Sequence, residues 1–443
     1  MRRRLATAAG ALLAIAASLL AVPSTAHAQS QAEQGFHVSD GRLLDANGKD
    51  FVLRGVNHAH AWYPTRTPQA LKDIKALGAN SVRVVLATGD RWTKNGAADV
   101  AAVVTQCKQN RLVCVLEAHD TTGYGEQAGA VSLSRAVDYW LSIQDVLKGQ
   151  EKYVILNLGN EPHGNSGYTA WTSDTQNAIK RMRDAGFDHT LMADAPNWGQ
   201  DWAFTMRDNA AKVFAGDPDR NTVFSIHMYG VFDTANEVND YLNRFTSQHL
   251  PLAIGEFGNA HSDGDPDEDA IMAAAQRQGV GYLGWSWSGN GGGVEYLDLA
   301  TDFDASRLSA WGRRLFEGAN GIKQTSREAS VFASGPADGS CAVSYRLSDW
   351  GSSFNADVTI RNTGTTAVKG WRLDFAFPGQ QKINSAWNAR TAQDGSQVRA
   401  TNESWTETIP VGGSVSFGFN GSSTGTNGVP ASFALNGVGC AKS

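Results

Sequence analysis

The chain has 443 residues, a formal charge of −6, 42% hydrophobic and 19% charged residues, and 47 glycines that follow no periodic repeat. This composition excludes collagen, coiled coil and wholesale disorder, and only four cysteines exclude a disulfide-dense miniprotein. The mild acidity argues against a nucleic-acid partner, because contacts with phosphates require a basic face. The length suits two or three domains.

The first 28 residues have the three parts of a secretory signal. Residues 2–4 are arginines, residues 11–22 form an apolar run, and residues 26–28 are a small-x-small cleavage site. The run is shorter than the ~20 residues of a membrane-spanning helix, and no second apolar span follows. We therefore predict a secreted, extracellular protein that begins near Gln29 and has no membrane partner.

Short apolar strands alternate with amphipathic helices about eight times between residues 36 and 332. Such alternation over about 300 residues predicts an α/β fold, a closed (β/α)8 barrel rather than an open doubly wound sheet. No GxGxxG motif follows the first strand, which excludes a dinucleotide-binding fold. The predicted strands are 51–57, 81–86, 112–118, 153–160, 190–195, 222–229, 252–257 and 282–287. The predicted helices are 68–77, 97–109, 133–147, 170–185, 235–246 and 267–277.

The tail over residues 341–443 differs from the preceding residues in composition, since it is slightly basic and rich in Ser, Thr, Asn and Gly. Alternation of apolar and polar residues predicts strands with one buried face, and hence a small all-β sandwich. Cys341 and Cys440 bracket the tail, and a bridge between them would stabilise it by on the order of 4 kcal/mol. The Gly-, Pro- and Ser-rich stretch 333–340 predicts a short linker.

The predicted barrel strands end in dense clusters of polar and aromatic side chains, where barrels of this kind carry their function. Two glutamates, Glu161 and Glu256, follow or end strands that nearly face each other. The side chains that frame them are Arg83, His119, Asn160, His227, Tyr229 and Trp285. Structural ion-pair networks are the alternative interpretation, but ionisable groups in such number are costly to desolvate unless they are used.

Two carboxylates beside an aromatic floor favour glycoside hydrolysis, in which one carboxyl protonates the leaving oxygen and the other attacks the anomeric carbon. Arg83 and a neighbouring imidazole would favour an ionised Glu256, whereas Glu161, across from that charge, would have its pKa raised. Trp285 would offer an apolar face to a sugar ring, and Asn160 would bond a sugar 2-hydroxyl.

The residues around both glutamates resemble glycoside hydrolase family 5, a family of retaining (β/α)8 enzymes. The family's motifs correspond to 158–162, Leu-Gly-Asn-Glu-Pro, and 254–258, Ile-Gly-Glu-Phe-Gly. Four further segments resemble the bacterial endo-β-1,4-mannanases of that family rather than its cellulases: 117–123, 194–201, 225–229 and 284–290. The resemblance implies Glu161 as acid/base, Glu256 as nucleophile and the six framing side chains as substrate ligands.

The resemblance also implies a reaction: hydrolysis of internal β-1,4 bonds of mannan, glucomannan and galactomannan, with retention and no required cofactor. A β-1,4-endoglucanase is the alternative, because mannose and glucose differ only in the orientation of the 2-hydroxyl. A non-catalytic polysaccharide-binding protein is a third interpretation, which the presence of both glutamates disfavours.

The tail from Cys341 to Cys440 resembles a family 2 carbohydrate-binding module of the type that binds crystalline cellulose. The tryptophans expected to bind cellulose are Trp350, Trp387 and Trp405. Each lies in a polar neighbourhood, where burial of a ~200 Å² side chain is disfavoured. Such a module would direct the enzyme to plant cell wall.

Two features leave alternatives open. Cys107 and Cys114 would be either bridged or buried free thiols. The acidic run 263–269 lacks EF-hand spacing, so a solvated loop is the first expectation and a structural calcium the alternative.

We expect a monomer with a signal peptide over 1–28, a catalytic domain over 29–332, a linker over 333–340 and a binding module over 341–443.

Overall fold

The computed structural model describes residues 35–332, 341–364, 367–425, 427–436 and 438–443. The predicted signal peptide over 1–28 and the predicted linker over 333–340 lie outside these residues. Within the described ranges, no helix has the length and apolar character needed to cross a membrane.

Eight parallel strands, preceded by a short hairpin, close into a barrel. The hairpin and the barrel strands are, in chain order, β1 (His37–Ser39), β2 (Arg42–Leu44), β3 (Arg54–His58), β4 (Ser81–Leu86), β5 (Val113–Ala118), β6 (Val154–Asn157), β7 (Leu191–Asp194), β8 (Thr222–Met228), β9 (Leu252–Phe257) and β10 (Gly281–Gly284). The barrel order is β10-β3-β4-β5-β6-β7-β8-β9. All residues of the eight barrel strands are buried, as in a barrel enclosed by helices. The predicted (β/α)8 fold is confirmed.

Helices enclose the barrel. They are α1 (Thr67–Ala76), α2 (Ala97–Gln109), α3 (Leu133–Ser142), α4 (Gln144–Leu147), α5 (Trp171–Asp184), α6 (Thr205–Gly216), α7 (Ala235–Thr246), α8 (Glu268–Gln278), α9 (Ala310–Glu317) and α10 (Ile322–Thr325). α7 begins where predicted because Thr234 and Glu237 form a reciprocal capping box. The helix predicted over 133–147 is split at Ile143, whose backbone is not helical.

The sequence pattern did not predict α6 and α9. The residue before α6 is Phe204, which supplies no polar side chain to cap the first turn. α9 is short and contains Gly312 in its interior, which lowers helix propensity. A Cβ at Gly312 would lie 2.0 Å from the carbonyl oxygen of Leu299, so close packing requires glycine there.

Two predicted strands end three residues early, and both ends carry site residues. β6 ends at Asn157 rather than at Asn160, and β10 ends at Gly284 rather than at Trp287. Glu161 therefore lies on a loop, with a backbone φ of 41° in the left-handed region. Trp285 likewise follows its strand instead of belonging to it.

Three buried tryptophans of the helix layer hold the loops at the carboxyl end of the barrel. The indole N–H of Trp140 on α3 donates to the Leu158 carbonyl at 3.0 Å. Trp171 on α5 donates to the Asp194 carbonyl at 2.8 Å, and Trp311 on α9 donates to the Trp285 carbonyl at 2.9 Å. Each bond satisfies a carbonyl at or beyond a strand end.

The thiols of Cys107 on α2 and Cys114 on β5 are free and buried. Their sulfur atoms are 2.8 Å apart, and Cys107 donates a weak hydrogen bond to Cys114. Of the two alternatives that the sequence left open, the structure has the unbridged pair. Burial raises the pKa of the Cys114 thiol, which keeps it protonated.

The tail forms two five-stranded sheets and a two-stranded pair. Its strands are β11 (Cys341–Asp349), β12 (Ser353–Asn362), β13 (Val368–Lys369), β14 (Arg372–Ala376), β15 (Gln381–Trp387), β16 (Ala389–Asp394), β17 (Gln397–Asn402), β18 (Thr408–Ile409), β19 (Ser414–Ser423), β20 (Phe433–Leu435), β21 (Val438–Gly439) and β22 (Ala441–Lys442). The sheet orders are β15-β19-β12-β11-β22 and β16-β17-β14-β20-β21, with β13 paired to β18. The predicted all-β domain is confirmed.

The sandwich has its own hydrophobic core, and a disulfide bond joins its two ends. Trp371 is 1% exposed and stacks on Phe417 with ring centroids 5.6 Å apart, so it belongs to the core of the sandwich. Its indole N–H donates to the Thr406 carbonyl at 2.6 Å. Cys341 and Cys440 form a disulfide that joins the two ends of the domain, 99 residues apart in sequence.

Candidate active site

The two predicted glutamates meet at one imidazole at the carboxyl end of the barrel. Glu161 Oε1 lies 2.9 Å from His227 Nδ1, and Glu256 Oε2 lies 3.6 Å from the same nitrogen. Carboxylate oxygens of the two glutamates come within 4.8 Å of each other. Retaining glycosidases have carboxyl groups about 5 Å apart, whereas inverting enzymes need a wider gap to admit water. The spacing suits retention.

Arg83 on β4 is fully buried and organises this cluster. Its acceptors, at 2.7 to 3.0 Å, are Asn57 Oδ1, Asn157 Oδ1, Asn160 Oδ1, Asp194 Oδ2 and Glu256 Oε1. Because the guanidinium is planar and presents fixed donors, these bonds set the positions of Glu256 and Asn160 relative to each other. Asn160 Nδ2 donates in turn to Thr122 Oγ1 at 2.8 Å.

His227 on β8 lies between carboxylates on both sides of its ring. Nδ1 faces Glu161, and Nε2 lies 3.2 Å from Asp194 Oδ2. Burial opposes its charge, but Glu256 and Asp194 outweigh burial and raise the pKa of His227 to about 10. Burial likewise opposes ionisation of Asp194, yet Arg83 and His227 lower the pKa of that carboxyl to about 2. At neutral pH the site therefore contains an imidazolium.

Glu256 on β9 receives hydrogen bonds on both oxygens. Arg83 Nη1 donates to Oε1 at 2.7 Å, and the hydroxyl of Tyr229 donates to Oε2 at 3.0 Å. Burial raises the pKa of Glu256, while His227 and Arg83 act to lower it. The cationic neighbours act in the predicted direction, but burial outweighs them, which the sequence could not show.

An aromatic wall borders the cluster, built from residues that follow β3, β5 and β10. His119 stacks on Trp285 with ring centroids 5.9 Å apart, and Trp62 meets His119 edge-on at 5.1 Å. Glu117 Oε1 accepts a hydrogen bond from His119 Nδ1 at 2.8 Å. Burial lowers and Glu117 raises the pKa of His119, with a net upward shift. All eight predicted site residues of the barrel thus lie at its mouth.

This geometry is accompanied by a family match over most of the barrel. Residues 44–291, more than half of the chain, match the family model described as cellulase, glycosyl hydrolase family 5. The chain belongs to glycosyl hydrolase family 5. Residues 341–440 match the model described as a cellulose binding domain. Both family resemblances seen in the sequence are confirmed.

Relatives of this family 5 enzyme include two proteins named mannan endo-1,4-beta-mannosidase. The Streptomyces lividans protein is 59% identical over 337 residues, which cover 75% of this chain and 87% of the relative. The Cellvibrio japonicus protein is 47% identical over 370 residues and 83% of each chain. The solved structure titled beta-mannanase from Thermomonospora fusca has 60% identity and a TM-score of 0.67, and the match covers 68% of this chain and all of that one.

The same cluster has the shape of a cation site but not its chemistry. Glu161, His227 and Glu256 each offer a ligand atom within 4.8 Å of the others. A metal ligand must be deprotonated, so a metal ion would have to displace a proton from His227, whose pKa is raised to about 10, against the effect of burial, by Glu256 and Asp194. One carboxyl group that donates a proton and a second that attacks carbon fit this family 5 site better than metal coordination does.

Three of the five carboxylates in the acidic run 263–269, those of Asp263, Asp267 and Asp269, accept hydrogen bonds from protein atoms. Asp263 accepts hydrogen bonds from Gln200 Nε2 at 2.7 Å and from the Gly230 N–H at 3.1 Å. Asp267 caps α8 by accepting from the Ala270 N–H at 2.9 Å. Among the residues that the structure describes, the run does not bring three ligand atoms together. A calcium ion would have to displace these bonds.

Two buried acids of the site were not among the predicted site residues. Asp194 ends β7, and Glu117 lies near the end of β5; both are fully or almost fully buried. Their positions at strand ends were visible in the sequence. The partners of Asp194, Arg83 and His227, come from other strands, so only the closed barrel shows what that carboxylate contacts. The partner of Glu117, His119, lies only two residues further along the chain.

The module exposes the three tryptophans that the sequence singled out. Trp350, Trp387 and Trp405 are 63%, 42% and 71% exposed. Trp387 packs over Gly418, where a Cβ would lie 2.2 Å from the ring, and Trp405 donates to Asn388 Oδ1 at 3.3 Å. Large exposed aromatic rings in a well-packed domain indicate a binding surface.

Proposed function

We propose that the chain is a secreted, retaining endo-β-1,4-mannanase that cuts internal bonds of mannan, glucomannan and galactomannan. The observation that carries the proposal is the pair Glu161 and Glu256, whose oxygens come within 4.8 Å at the barrel mouth. Relatives of 47% and 59% identity with the name mannan endo-1,4-beta-mannosidase support the substrate class. The chemistry of two carboxyl groups requires no cofactor.

In the first step Glu256 attacks the anomeric carbon while Glu161 transfers its proton to the departing glycosidic oxygen. The bond to the leaving sugar breaks as the bond to the Glu256 carboxylate forms. Arg83 and Tyr229 orient the attacking carboxylate through bonds of 2.7 and 3.0 Å. Fixed donors supply this orientation without reorganisation during the reaction.

In the second step water replaces Glu256 at the anomeric carbon. Glu161, now ionised, takes the proton of that water, and the product keeps the β configuration. The Nδ1–H of His227 donates to the Glu161 carboxylate at 2.9 Å and stabilises it in this ionised state. The Asp194 carboxylate, 3.2 Å from Nε2, holds the imidazolium in place.

Substrate contacts are proposed for the remaining predicted residues. The side-chain oxygen of Asn160 accepts a hydrogen bond from Arg83, and its amide nitrogen donates one hydrogen to Thr122. The second amide hydrogen remains available to a sugar 2-hydroxyl. Trp285 and His119 present stacked rings at which the apolar face of a sugar packs.

The module is proposed to bind cellulose through Trp350, Trp387 and Trp405, and so to hold the secreted enzyme on plant cell wall. We propose domain bounds of 29–332 for the barrel, 333–340 for the linker and 341–443 for the module. We also propose that the enzyme acts as a monomer.

The test is release of reducing sugar from mannan, carboxymethylcellulose and xylan, measured side by side with the same enzyme. Mannan is expected to give the highest rate. A higher rate on the cellulose derivative would favour the endoglucanase alternative, and no release from any polymer would favour a non-catalytic binding protein.

A further inference from the structure

The loop between β7 and α6, residues 195–204, has a strained backbone. Five of its ten residues have φ in the left-handed region, between 49° and 72°: Asn197, Trp198, Gly199, Asp201 and Phe204. Four of these five are not glycine, and such strain persists only where the surrounding structure holds it. The loop supplies none of the residues of the proposed chemistry, yet its middle lies against one of them.

Gly199, in the middle of the loop, lies against the ring of His227. A Cβ at Gly199 would lie 2.5 Å from Nδ1 and 2.6 Å from Cγ of that ring, closer than real Cβ atoms come to other heavy atoms. The carbonyl of Gly199 also accepts a hydrogen bond from the His227 N–H at 2.8 Å. Because glycine has no side chain, the loop backbone can cover the imidazole at the nitrogen that bonds Glu161.

Both sequence neighbours of Gly199 are tied to other loops of the barrel mouth. The backbone N–H of Trp198 donates to the His163 carbonyl, on the loop after β6, at 3.0 Å. The side-chain oxygen of Gln200 accepts a hydrogen bond from the Val231 N–H, on the loop after β8, at 3.1 Å. These bonds fix the glycine where it contacts the imidazole.

Asp201, two residues further on, anchors the loop to the helix layer. Its side chain is fully buried. Oδ1 accepts a hydrogen bond from the Met206 N–H at 2.8 Å, and Oδ2 accepts from the Arg207 N–H at 2.8 Å and from the Tyr241 hydroxyl at 2.6 Å. Met206 and Arg207 lie in the first turn of α6, whose free N–H groups a carboxylate satisfies well. Tyr241 lies on α7, so one carboxylate joins the loop to two helices.

The ring of His227 must lie within narrow limits to keep its contacts. Its Nδ1 lies 2.9 Å from Glu161 and 3.6 Å from Glu256, and its Nε2 lies 3.2 Å from Asp194. A shift of the ring by about 1 Å would break its bond to Glu161, because N–H···O hydrogen bonds have lengths of about 2.7 to 3.2 Å. A misplacement of this size can lower a catalytic rate by roughly 10²-fold.

We propose that Gly199 and Asp201 are positioning residues for His227. Gly199 provides the surface on which the imidazole rests, and Asp201 fixes the loop that carries this glycine. Both residues act through the bond between His227 and Glu161 rather than on the substrate. The proposal rests on the proposed function, because it takes Glu161 as the proton donor.

The first test is Gly199→Ala, assayed on mannan and on an aryl β-mannobioside with an activated leaving group. The loss of kcat on mannan is expected to exceed the loss on the aryl substrate by roughly tenfold, because the activated group hardly needs a proton. KM is expected to change little on either substrate. Equal losses of kcat on the two substrates would mean general damage to the fold and would overturn the proposal.

Gly167→Ala is the matched control. Gly167 lies on the loop after β6 with a φ of 74°, against 72° at Gly199, so alanine strains the backbone equally at both positions. A Cβ at Gly167 would meet no atom of the described residues within 4 Å. This variant is expected to keep the wild-type ratio between the two substrates. A change equal to that of Gly199→Ala would show that backbone strain alone is responsible and would overturn the proposal.

Asp201→Asn tests the anchor and also covers the case in which Gly199→Ala does not fold. Asparagine has the same shape, but its amide group cannot accept a hydrogen bond from the second backbone N–H. The ratio between the two substrates is expected to change in the same direction as in Gly199→Ala and by a smaller factor. Equal losses on the two substrates in whichever variant folds would overturn the proposal.

A measurement without substrate separates this proposal from the proposed function. ¹⁵N NMR of histidine-labelled protein reports the pKa of His227, which is about 10 because burial, which lowers it, is outweighed by Glu256 and Asp194. In both variants this pKa is expected to fall by roughly one to three pH units as the ring moves away from its carboxylates. An unchanged pKa would overturn the proposal. A wild-type enzyme that does not cut mannan would overturn the proposed function instead, and the NMR comparison would still decide whether the loop positions His227.

Discussion

The barrel mouth and the exposed tryptophans of the module are both proposed to contact β-1,4-linked polysaccharide, yet the two regions consist of side chains of opposite character. The mouth buries charged groups, among them Arg83, Asp194 and His227, in contact with one another. The module instead presents exposed neutral rings such as Trp350 and Trp405. Bond cleavage needs fixed charges in a desolvated site, whereas adsorption needs only apolar area at the surface. The following predictions test this difference.

The largest effect is expected at the glutamates. Glu256→Ala should lower turnover by at least roughly 10⁴-fold, because no other described side chain is placed to attack the anomeric carbon. Glu161→Ala should cost about 10²- to 10⁴-fold on polysaccharide but much less on an aryl glycoside with an activated leaving group, which hardly needs a proton. Steady-state kinetics on both substrates measure the difference.

Azide checks the roles of the two glutamates independently. It should rescue Glu161→Ala and give a β-glycosyl azide, since azide then attacks the glycosyl-enzyme from the face that water uses. An α-glycosyl azide from this variant would reverse the assignment. Proton NMR of early wild-type hydrolysis should show the β anomer first, and an initial α anomer would indicate inversion.

The next effect is on the stability of the module. Trp371→Ala should lower the free energy of unfolding of the module by roughly 3–5 kcal/mol, because it removes a buried indole stacked on Phe417. Denaturant unfolding monitored by circular dichroism measures this change. Trp350→Ala is the control, since its ring is exposed, and an equal loss of stability in both variants would contradict the distinction between core and surface tryptophans.

The charged mouth should also make barrel stability depend on pH. The raised pKa of His227, about 10 against an ordinary 6.5, means that its ion pairs stabilise the fold fully below about pH 6.5 and are lost as pH rises through 10. The loss should be on the order of 5 kcal/mol over this window, because one pKa unit corresponds to about 1.4 kcal/mol. Calorimetry of wild type and His227→Gln measures it.

In that experiment the stability of the His227→Gln barrel should decline less steeply than that of the wild-type barrel between pH 6.5 and 10. The module contains no histidine, so its own unfolding transition provides an internal comparison that should change little in the lower part of this range. Identical pH profiles of the wild-type and variant barrels would contradict the role of His227.

The smallest effects are expected at the module's surface. Trp350→Ala, Trp387→Ala and Trp405→Ala should each weaken adsorption to microcrystalline cellulose by about two- to tenfold without unfolding the module. Removal of residues 341–443 should abolish adsorption and leave hydrolysis of soluble mannan nearly unchanged. Pull-down assays and reducing-sugar assays measure the two properties, and unchanged adsorption of the three variants would mean that the module binds by another surface.

Periodicity was sufficient to predict both folds, because buried parallel strands and one-face-buried strands leave different patterns in a sequence. Periodicity did not predict correctly where strands end. The apolar run through Leu158 predicts a strand, whereas the chain turns after Asn157 and places Glu161 on a loop. Periodicity also failed at α9, whose Gly312 is dictated by the approach of the Leu299 carbonyl.

The candidate site was predicted as a set of residues but not as a network. Strand ends and motifs point to each side chain by itself. The pairing of Asp194 with both Arg83 and His227 joins three strands that are distant in sequence, and the burial that raises the pKa of Glu256 belongs to the assembled barrel. Such properties are collective, so no local sequence pattern reports them.

The disulfide between Cys341 and Cys440 joins the two ends of the module, and the Cα atoms of the two cysteines are 4.9 Å apart. A domain whose entry and exit points nearly coincide can be inserted into a surface loop of another protein without stretching its host. It can equally be attached by either end, since both attachment points lie at the same place on its surface. The disulfide and the pairing of β11 with β22 together hold both attachment points of the module at one place.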